Sequence, residues 1–179
     1  MVSNDYARRM AAYNRWMNEK VYAAAARLPA SELAAERGAF FGSVLGTLNH
    51  LMVADLIWLK RFSALPDFHA TLAPLRDLPA PTALDAMPYP VFAQLRERRQ
   101  WLDGVIEDWA DSLGGDDLQQ VLEYSNTRGQ RFRKRMDGVA MHFFNHQTHH
   151  RGQVTTLLSQ AGIDVGETDL RALIADEPD

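Results

Sequence analysis

Histidine is concentrated in one short segment of this 179-residue chain. Positions 142–150 contain four of its six histidines: His142, His146, His149 and His150. Imidazole nitrogens bind divalent transition metals. The chain has no cysteine, so any bound metal must be held by nitrogen and oxygen ligands. The cluster therefore indicates metal chemistry, with packed or solvated histidines as the alternative interpretation.

The spacing of these histidines suits chelation by one helix. Side chains four residues apart meet on the same helix face, so both His142 with His146 and His146 with His150 could hold one ion. At 100° per residue all four histidines fall within about 100° of arc, together with Val139 and Leu157. We therefore predict that this stripe faces the core of a helical bundle.

Another histidine, His50, lies midway along a nearly unbroken apolar segment. The small residues on its helix face would let a neighbouring helix approach closely. Taken alone, His50 is best interpreted as a neutral core histidine. Metal sites in bundles are assembled from side chains on facing helices, however. With a histidine pair on another helix, we favour a ligand role for His50.

A site with three histidines leaves at least one coordination position open. Open positions are typical of catalytic zinc, because structural zinc sites are normally closed by four protein ligands. Three histidines without a thiolate suit zinc, nickel, manganese, iron or cobalt, and the affinity order alone does not choose among these metals. We expect zinc or nickel first. The sequence lacks a His-Glu-x-x-His motif, which excludes the usual metalloprotease arrangement with its own general base.

Three further polar residues could surround such a site. His142 and His149 could line a pocket or support the ligands, although hydrogen bonding in the core or helix packing explains them equally well. Gln153 could bond a metal-bound water or a neighbouring backbone group. The basic run 131–135 is interpreted as a solvated hairpin edge, with contact to an anionic thiol as the alternative.

The elements that position these residues follow from apolar periodicity and helix stop signals. Four long helices are predicted: one from a cap at Ser3 or Asn4 to before Pro29, and others at about 41–62, 91–113 and 137–161. A short helical turn at 31–37, a proline-rich irregular connection at 63–90 and a hairpin turning at 126–129 complete the chain. The predicted fold is all-α, a four-helix bundle with a long crossover and a short β-hairpin before the last helix. We expect one domain over 1–179, with 166–179 a partly ordered tail.

Composition excludes several classes of protein. The net charge of −4 and the pI of about 5.8 provide no basic surface for a nucleic-acid backbone. The N-terminus lacks an apolar run with a cleavage site, so we expect a cytoplasmic protein. The apolar segment 40–59 is long enough to span a membrane, but Asn49, His50 and Asp55 interrupt it, which favours a buried bundle helix over membrane association.

Four segments provide a more specific signal: Tyr-Asn-Arg-Trp-Met-Asn at 13–18, Leu-Asn-His-Leu at 48–51 with Asp55 and Trp58, Asn-His-Gln-Thr-His-His-Arg-Gly-Gln at 145–153, and the C-terminal segment 161–170. Together they resemble the DinB/YfiT-like family of metal-dependent enzymes over nearly the whole chain. The resemblance implies a four-helix bundle that forms a homodimer. It also implies a divalent metal held by His50, His146 and His150.

The same resemblance implies an activity on small molecules. Characterised members of that family transfer or rearrange adducts of low-molecular-weight thiols, and others are called metal-dependent hydrolases. A thiol S-transferase or a hydrolase is therefore the first hypothesis. The alternatives are a non-catalytic metal-binding or ligand-sensing bundle and a purely structural bundle with core histidines. The first helix, with Trp16, offers a candidate dimer face.

Overall fold

The computed structural model describes residues 3–81, 83–126 and 128–177 and has the predicted helical architecture. Its helices are α1 (Asn4–Ala25), α2 (Ala30–Ala34), α3 (Val44–Phe62), α4 (Phe92–Ser112) and α5 (Met136–Gln160). The strands β1 (Val121–Ser125) and β2 (Arg131–Arg135) form the hairpin that precedes α5. Single 3₁₀ turns occupy Pro66–Phe68, Ala73–Leu75, Asp117–Gln119 and Leu170–Leu173. The predicted all-α bundle with a short hairpin is confirmed.

Serine side chains fix where two of the long helices begin. The Ser3 hydroxyl accepts a hydrogen bond from the Tyr6 backbone amide, as the predicted cap requires. Ser43 caps α3 in the same way by accepting from the Gly46 amide. The prediction that this helix begins at about residue 41 was therefore wrong by three residues. Gly42 has a φ of 73°, a left-handed conformation that no helix continues through.

Four long helices enclose one apolar core. α1 packs against α4 and α5, and α5 packs against α3. Aromatic side chains fill the end of the bundle nearest the hairpin, where Trp109 stacks on Phe62 and Phe143 meets both edge-on. Within the described residues, no helix combines the length and the apolar character that crossing a membrane requires.

The proline-rich connection between α3 and α4 is fastened to the bundle. Phe68, Leu72 and Leu75 are buried in the core. Further on, the buried Asn49 side chain donates to the Tyr89 carbonyl and accepts from the Tyr89 amide, each over 3.0 Å. These two bonds hold the end of the connection against α3, one residue from His50.

The hairpin pairs β1 with β2 in antiparallel register, with Val121 opposite Arg135 and Ser125 opposite Arg131. Gly129 adopts a φ of 76° in its turn, as the predicted turn requires. Thr127, which also belongs to the predicted turn, lies outside the described residues. Leu122 is buried and anchors the hairpin to the bundle, whereas most of β2 is exposed.

A layer of buried charge crosses the middle of the bundle. Arg99 of α4 donates to Asp55 of α3 over 2.6 Å and pairs with Asp103 over 3.0 Å. The side-chain amides of Asn14 and Asn18 both donate to Asp103 over 2.9 Å. Burial raises the pKa of Asp103 to about 6, against the opposing effect of Arg99. This layer connects α1, α3 and α4 through buried polar side chains.

The segment that follows α5 returns along α1. Ile163, Val165 and Leu170 pack against the core, and the Tyr13 hydroxyl donates to the Thr168 carbonyl over 2.7 Å. Part of the predicted tail thus lies against the first helix. Its last two residues, 178 and 179, lie outside the described residues.

Candidate metal centre

Three histidines from two helices converge on one point. His50 of α3 places its Nε2 3.3 Å from Nε2 of His146 and 3.2 Å from Nε2 of His150, both on α5. One nitrogen from each ring lies within 4.8 Å of the others, and this group of three could hold a metal ion. Of the two chelating pairs that the spacing allowed, the structure thus brings His146 and His150 to His50.

The four histidines of α5 do not share one environment. His146 and His150 are half-buried, whereas His142 and His149 are exposed, so the prediction that the whole stripe faces the core was wrong. The buried face of α5 lies roughly 90° around the helix from His146. Gln147 and Arg151 lie at the centre of that face and are both buried. Because both are polar, the sequence pattern did not identify this face as the buried one.

The orientation of His50 is set by the proline-rich connection. Its Nδ1 donates to the Leu84 carbonyl over 2.8 Å, which leaves Nε2 without a proton and directed at the other two histidines. Sequence reasoning missed Leu84, because the contact is made by its backbone and joins residues 34 positions apart. The long connection therefore provides part of the site.

Gln153 sets the orientation of His150. Nδ1 of His150 donates to Oε1 of Gln153 over 2.7 Å, and the Gln153 amide nitrogen lies 3.3 Å from Nε2 of His149. Gln153 thus bonds the rings of His150 and His149, a contact that differs from both alternatives given for it from the sequence. His142 lies on the other side, with its ring centre 5.9 Å from that of His146.

The spacing of the nitrogens fits a bound cation. Both His50 and His150 use Nδ1 as the donor, so their Nε2 lone pairs face each other over 3.2 Å without a proton between them. A cation between the two nitrogens would stabilise this arrangement. In a tetrahedral zinc site with bonds of 2.0–2.1 Å, two nitrogen ligands are about 3.3–3.4 Å apart, close to the distances here.

Burial favours the neutral form that metal binding needs. It lowers the pKa of His146 to about 3, with a further contribution from the neighbouring imidazoles. Burial also lowers the pKa of His50 and of His150. At neutral pH all three rings therefore present free lone pairs, and protons do not compete with a metal.

An aromatic ring covers the site on one side. Phe41 stacks on His50 with ring centres 3.7 Å apart and meets His150 edge-on at 5.6 Å. The turn that carries Phe41 lies directly on α3, because a Cβ at Gly46 would be 2.0 Å from the Phe41 carbonyl oxygen. Only glycine at position 46 lets this ring approach so closely, a role that the sequence did not reveal.

Comparison with known proteins assigns the chain to a family. The family model described as "DinB family" matches residues 1–178. The chain belongs to the DinB family. It is 27% identical over 168 residues to "Protein DinB" of Bacillus subtilis (strain 168), a match that covers 93% of this chain and 92% of that protein. No solved structure matches significantly. The predicted resemblance is therefore confirmed, and the three converging histidines belong to a DinB family member.

In this DinB family member, Gln153→Ala is expected to lower zinc affinity by roughly 10–100-fold, the usual cost of removing a group that orients a ligand. The substitution frees the His150 ring to rotate and to change its tautomer. Competition with a chromophoric chelator measures the affinity. Gln160→Ala, an exposed glutamine on the same helix, is the matched control. Equal affinities for the two variants would show that Gln153 does not support the site.

Without metal, the free energy of unfolding of the wild type should fall relative to that of the His146→Gln variant as the pH decreases below about 6.5. The unfolded chain binds a proton at His146 near its ordinary pKa of 6.5, whereas the folded chain does so only near 3. Between these values the proton favours unfolding, and above 6.5 the effect is absent. Urea unfolding of both proteins at pH 8, 6.5 and 5 with a chelator present tests this. A stability difference that does not change with pH would contradict it.

Proposed function

We propose that this DinB family member is a metal-dependent enzyme that acts on small molecules. In this proposal, His50, His146 and His150 bind one divalent ion through their Nε2 atoms. The main observation in support is the convergence of three neutral imidazoles without a fourth histidine or carboxylate in the group, among the residues that the structure describes. A fourth position would then be open to a water or a substrate atom.

Zinc or nickel is the metal that we propose first. Imidazole suits zinc, nickel, copper and iron, and the two distances from Nε2 of His50 to the other two histidines match those of a tetrahedral zinc site. Manganese, iron and cobalt remain alternatives that metal analysis distinguishes. A bound divalent metal supplies a Lewis acid that lowers the pKa of a coordinated water or thiol toward neutrality.

The reaction that we propose is S-transfer from a low-molecular-weight thiol, with hydrolysis as the alternative activity of the same site. The residues around the histidines would hold the reacting group in place and restrict access of water. Phe41 covers the His50 ring, and the Leu84 carbonyl and Gln153 keep two ligand rings fixed. His142 and His149 border the site and are exposed, so either could accept the thiol proton.

A turnover assay tests this proposal. The metal-loaded protein is incubated with a small thiol and chlorodinitrobenzene, where sulfur replaces chloride on the ring, and separately with a nitrophenyl ester. We expect a rate that a chelator abolishes, that added metal restores, and that His146→Ala lacks. His69→Ala, which changes an exposed histidine outside the site, should behave as the wild type.

The second candidate is a metal-binding bundle without turnover. It is favoured by one observation: the group of three contains no carboxylate that could act as a built-in general base. Full metal loading without metal-dependent turnover of either substrate would support this second function and contradict the first.

The homodimer and the cytoplasmic location remain predictions. Light scattering of the purified protein tests the homodimer.

A further inference from the structure

A cavity of about 530 Å³ opens between α3, the hairpin and the first turns of α5. We call it the hairpin cavity and define it by Trp58, Tyr124, Lys134, Arg135, Gly138 and His142, which line it. Its walls combine two aromatic rings with cationic side chains. None of these residues belongs to the three-histidine group.

Rings in contact connect the hairpin cavity to the candidate metal centre. The His142 ring centre lies 5.2 Å from Trp58 on one side and 5.9 Å from His146 on the other. His142 is one helical turn from His146, about 6 Å along the axis, and Gly138 is about 12 Å away by the same 1.5 Å rise. Along the axis of α5, the cavity thus lies about 6–12 Å from His146.

Two cations, Lys134 in the lining of the hairpin cavity and Arg61 beside two of its aromatic rings, have no carboxylate partner among the described residues. Lys134 forms no ion pair, and Arg61 lies 4.5 Å from the Trp58 ring centre and 4.7 Å from that of Tyr124. The Arg61 guanidinium donates to the Ser125 carbonyl over 3.1 Å, which fixes its place without neutralising it. Arg135, by contrast, is paired with Asp137.

Lys134 and Arg61 together form a local positive region in a molecule whose net charge is −4. The acidic residue of β1 does not compensate them, because Glu123 is paired with Arg133 over 3.2 Å. An anionic group would be stabilised there by two cations and by aromatic walls.

We infer that the hairpin cavity binds the anionic end of the substrate, an elongated small molecule whose carboxylate lies about 6–12 Å from its reactive group. The carboxylate is held by Lys134, with the positive charge of Arg61 beside the aromatic walls, and the reactive sulfur or carbonyl reaches the three histidines past His142. A ligand much shorter than this distance cannot occupy both places. The inference rests on the proposed function for the reactive end, whereas anion binding depends on the cavity alone.

Binding of two matched thiols to the metal-free protein tests the inference. Glutathione has two carboxylates, and glutathione diethyl ester has the same thiol and length but neither negative charge. Calorimetry should show that the ester binds about tenfold more weakly or not at all, the usual effect of losing a charge-assisted hydrogen bond. Removing the metal excludes direct coordination of a carboxylate as the cause.

Lys134→Gln should weaken glutathione binding by about tenfold as well. Arg131→Gln is the matched control, because Arg131 is an exposed cation on the same strand, three residues away and so on the opposite face of the hairpin. Equal binding of glutathione and its ester, or equal effects of the two substitutions, would overturn the inference. Failure of glutathione to bind the metal-free wild type would overturn it too.

A failure of the inference can be distinguished from a failure of the proposed function. In the metal-loaded protein, Lys134→Gln should raise the KM for glutathione while kcat and metal content stay the same. Turnover with an unchanged KM would contradict only the anion site. Charge-dependent binding without any metal-dependent turnover would contradict only the proposed enzyme.

Discussion

Replacing His146 with alanine should lower zinc affinity by more than about 100-fold, because removing a group that merely orients a ligand already costs up to that factor. His146 packs against both other histidines of the group, with its ring centre 5.2 Å from that of His50 and 4.3 Å from that of His150. Without it, His50 and His150 would be left as a two-ligand site on separate helices. Competition with a chromophoric chelator measures the affinity.

The fold should survive this substitution. His146 is half-buried at the edge of the buried face of α5, so its loss opens a space that water can fill. Circular dichroism should therefore show the same helix content, and His69→Ala should retain the full affinity. A folded His146→Ala protein that binds zinc as tightly as the wild type would contradict the assignment of this ligand.

Replacing Arg99 with methionine should reduce the free energy of unfolding by about 3–5 kcal/mol at pH 7, the usual cost of breaking a buried ion pair by removing one partner. Arg99 is 2% exposed and neutralises both Asp55 and Asp103, which are equally buried. Without the guanidinium, the two buried carboxylates lose their ion-pair partner, and Arg151 is left as the buried cation near them. Urea unfolding measures the loss.

The loss in Arg99→Met should shrink as the pH falls. Burial already raises the pKa of Asp103 to about 6 and that of Asp55 in the same direction, and removing Arg99 raises both further. The folded variant therefore takes up protons at a pH where the unfolded chain does not, which relieves the repulsion at acidic pH. Arg96→Met, which changes an exposed arginine of the same helix, should cost less than about 0.5 kcal/mol. Equal losses for the two variants would contradict a structural role for the buried layer.

The elements of this fold were predictable because local signals determine them. Apolar periodicity located the four long helices, and Gly129 marked the hairpin turn. Their ends were less certain where tertiary contacts decide them: α3 begins at Val44 because Ser43 caps it and Gly42 turns the chain. The turn before α3 is held in place because it packs against the first helical turn of α3. Apolar periodicity does not report contacts of this kind.

The candidate site was predictable only in part. Histidine spacing and the family resemblance selected His50, His146 and His150, which the structure brings together. The rotation of α5 was not predictable, because Gln147 and Arg151 are polar residues on its buried face. Phe41 and the Leu84 carbonyl were missed because they reach the site through loops. A backbone carbonyl has no sequence signature, so this part of the site needed three-dimensional information.

Anomalous diffraction at the zinc edge, from crystals grown with zinc, tests the central claim most directly. The claim predicts one strong peak per chain, about 2.0–2.1 Å from Nε2 of His50, His146 and His150, with a non-protein atom in the fourth position. A peak held by other side chains, or density closed by a fourth protein ligand, would contradict the open site. Absence of any peak from crystals with saturating zinc would contradict metal binding by this group altogether.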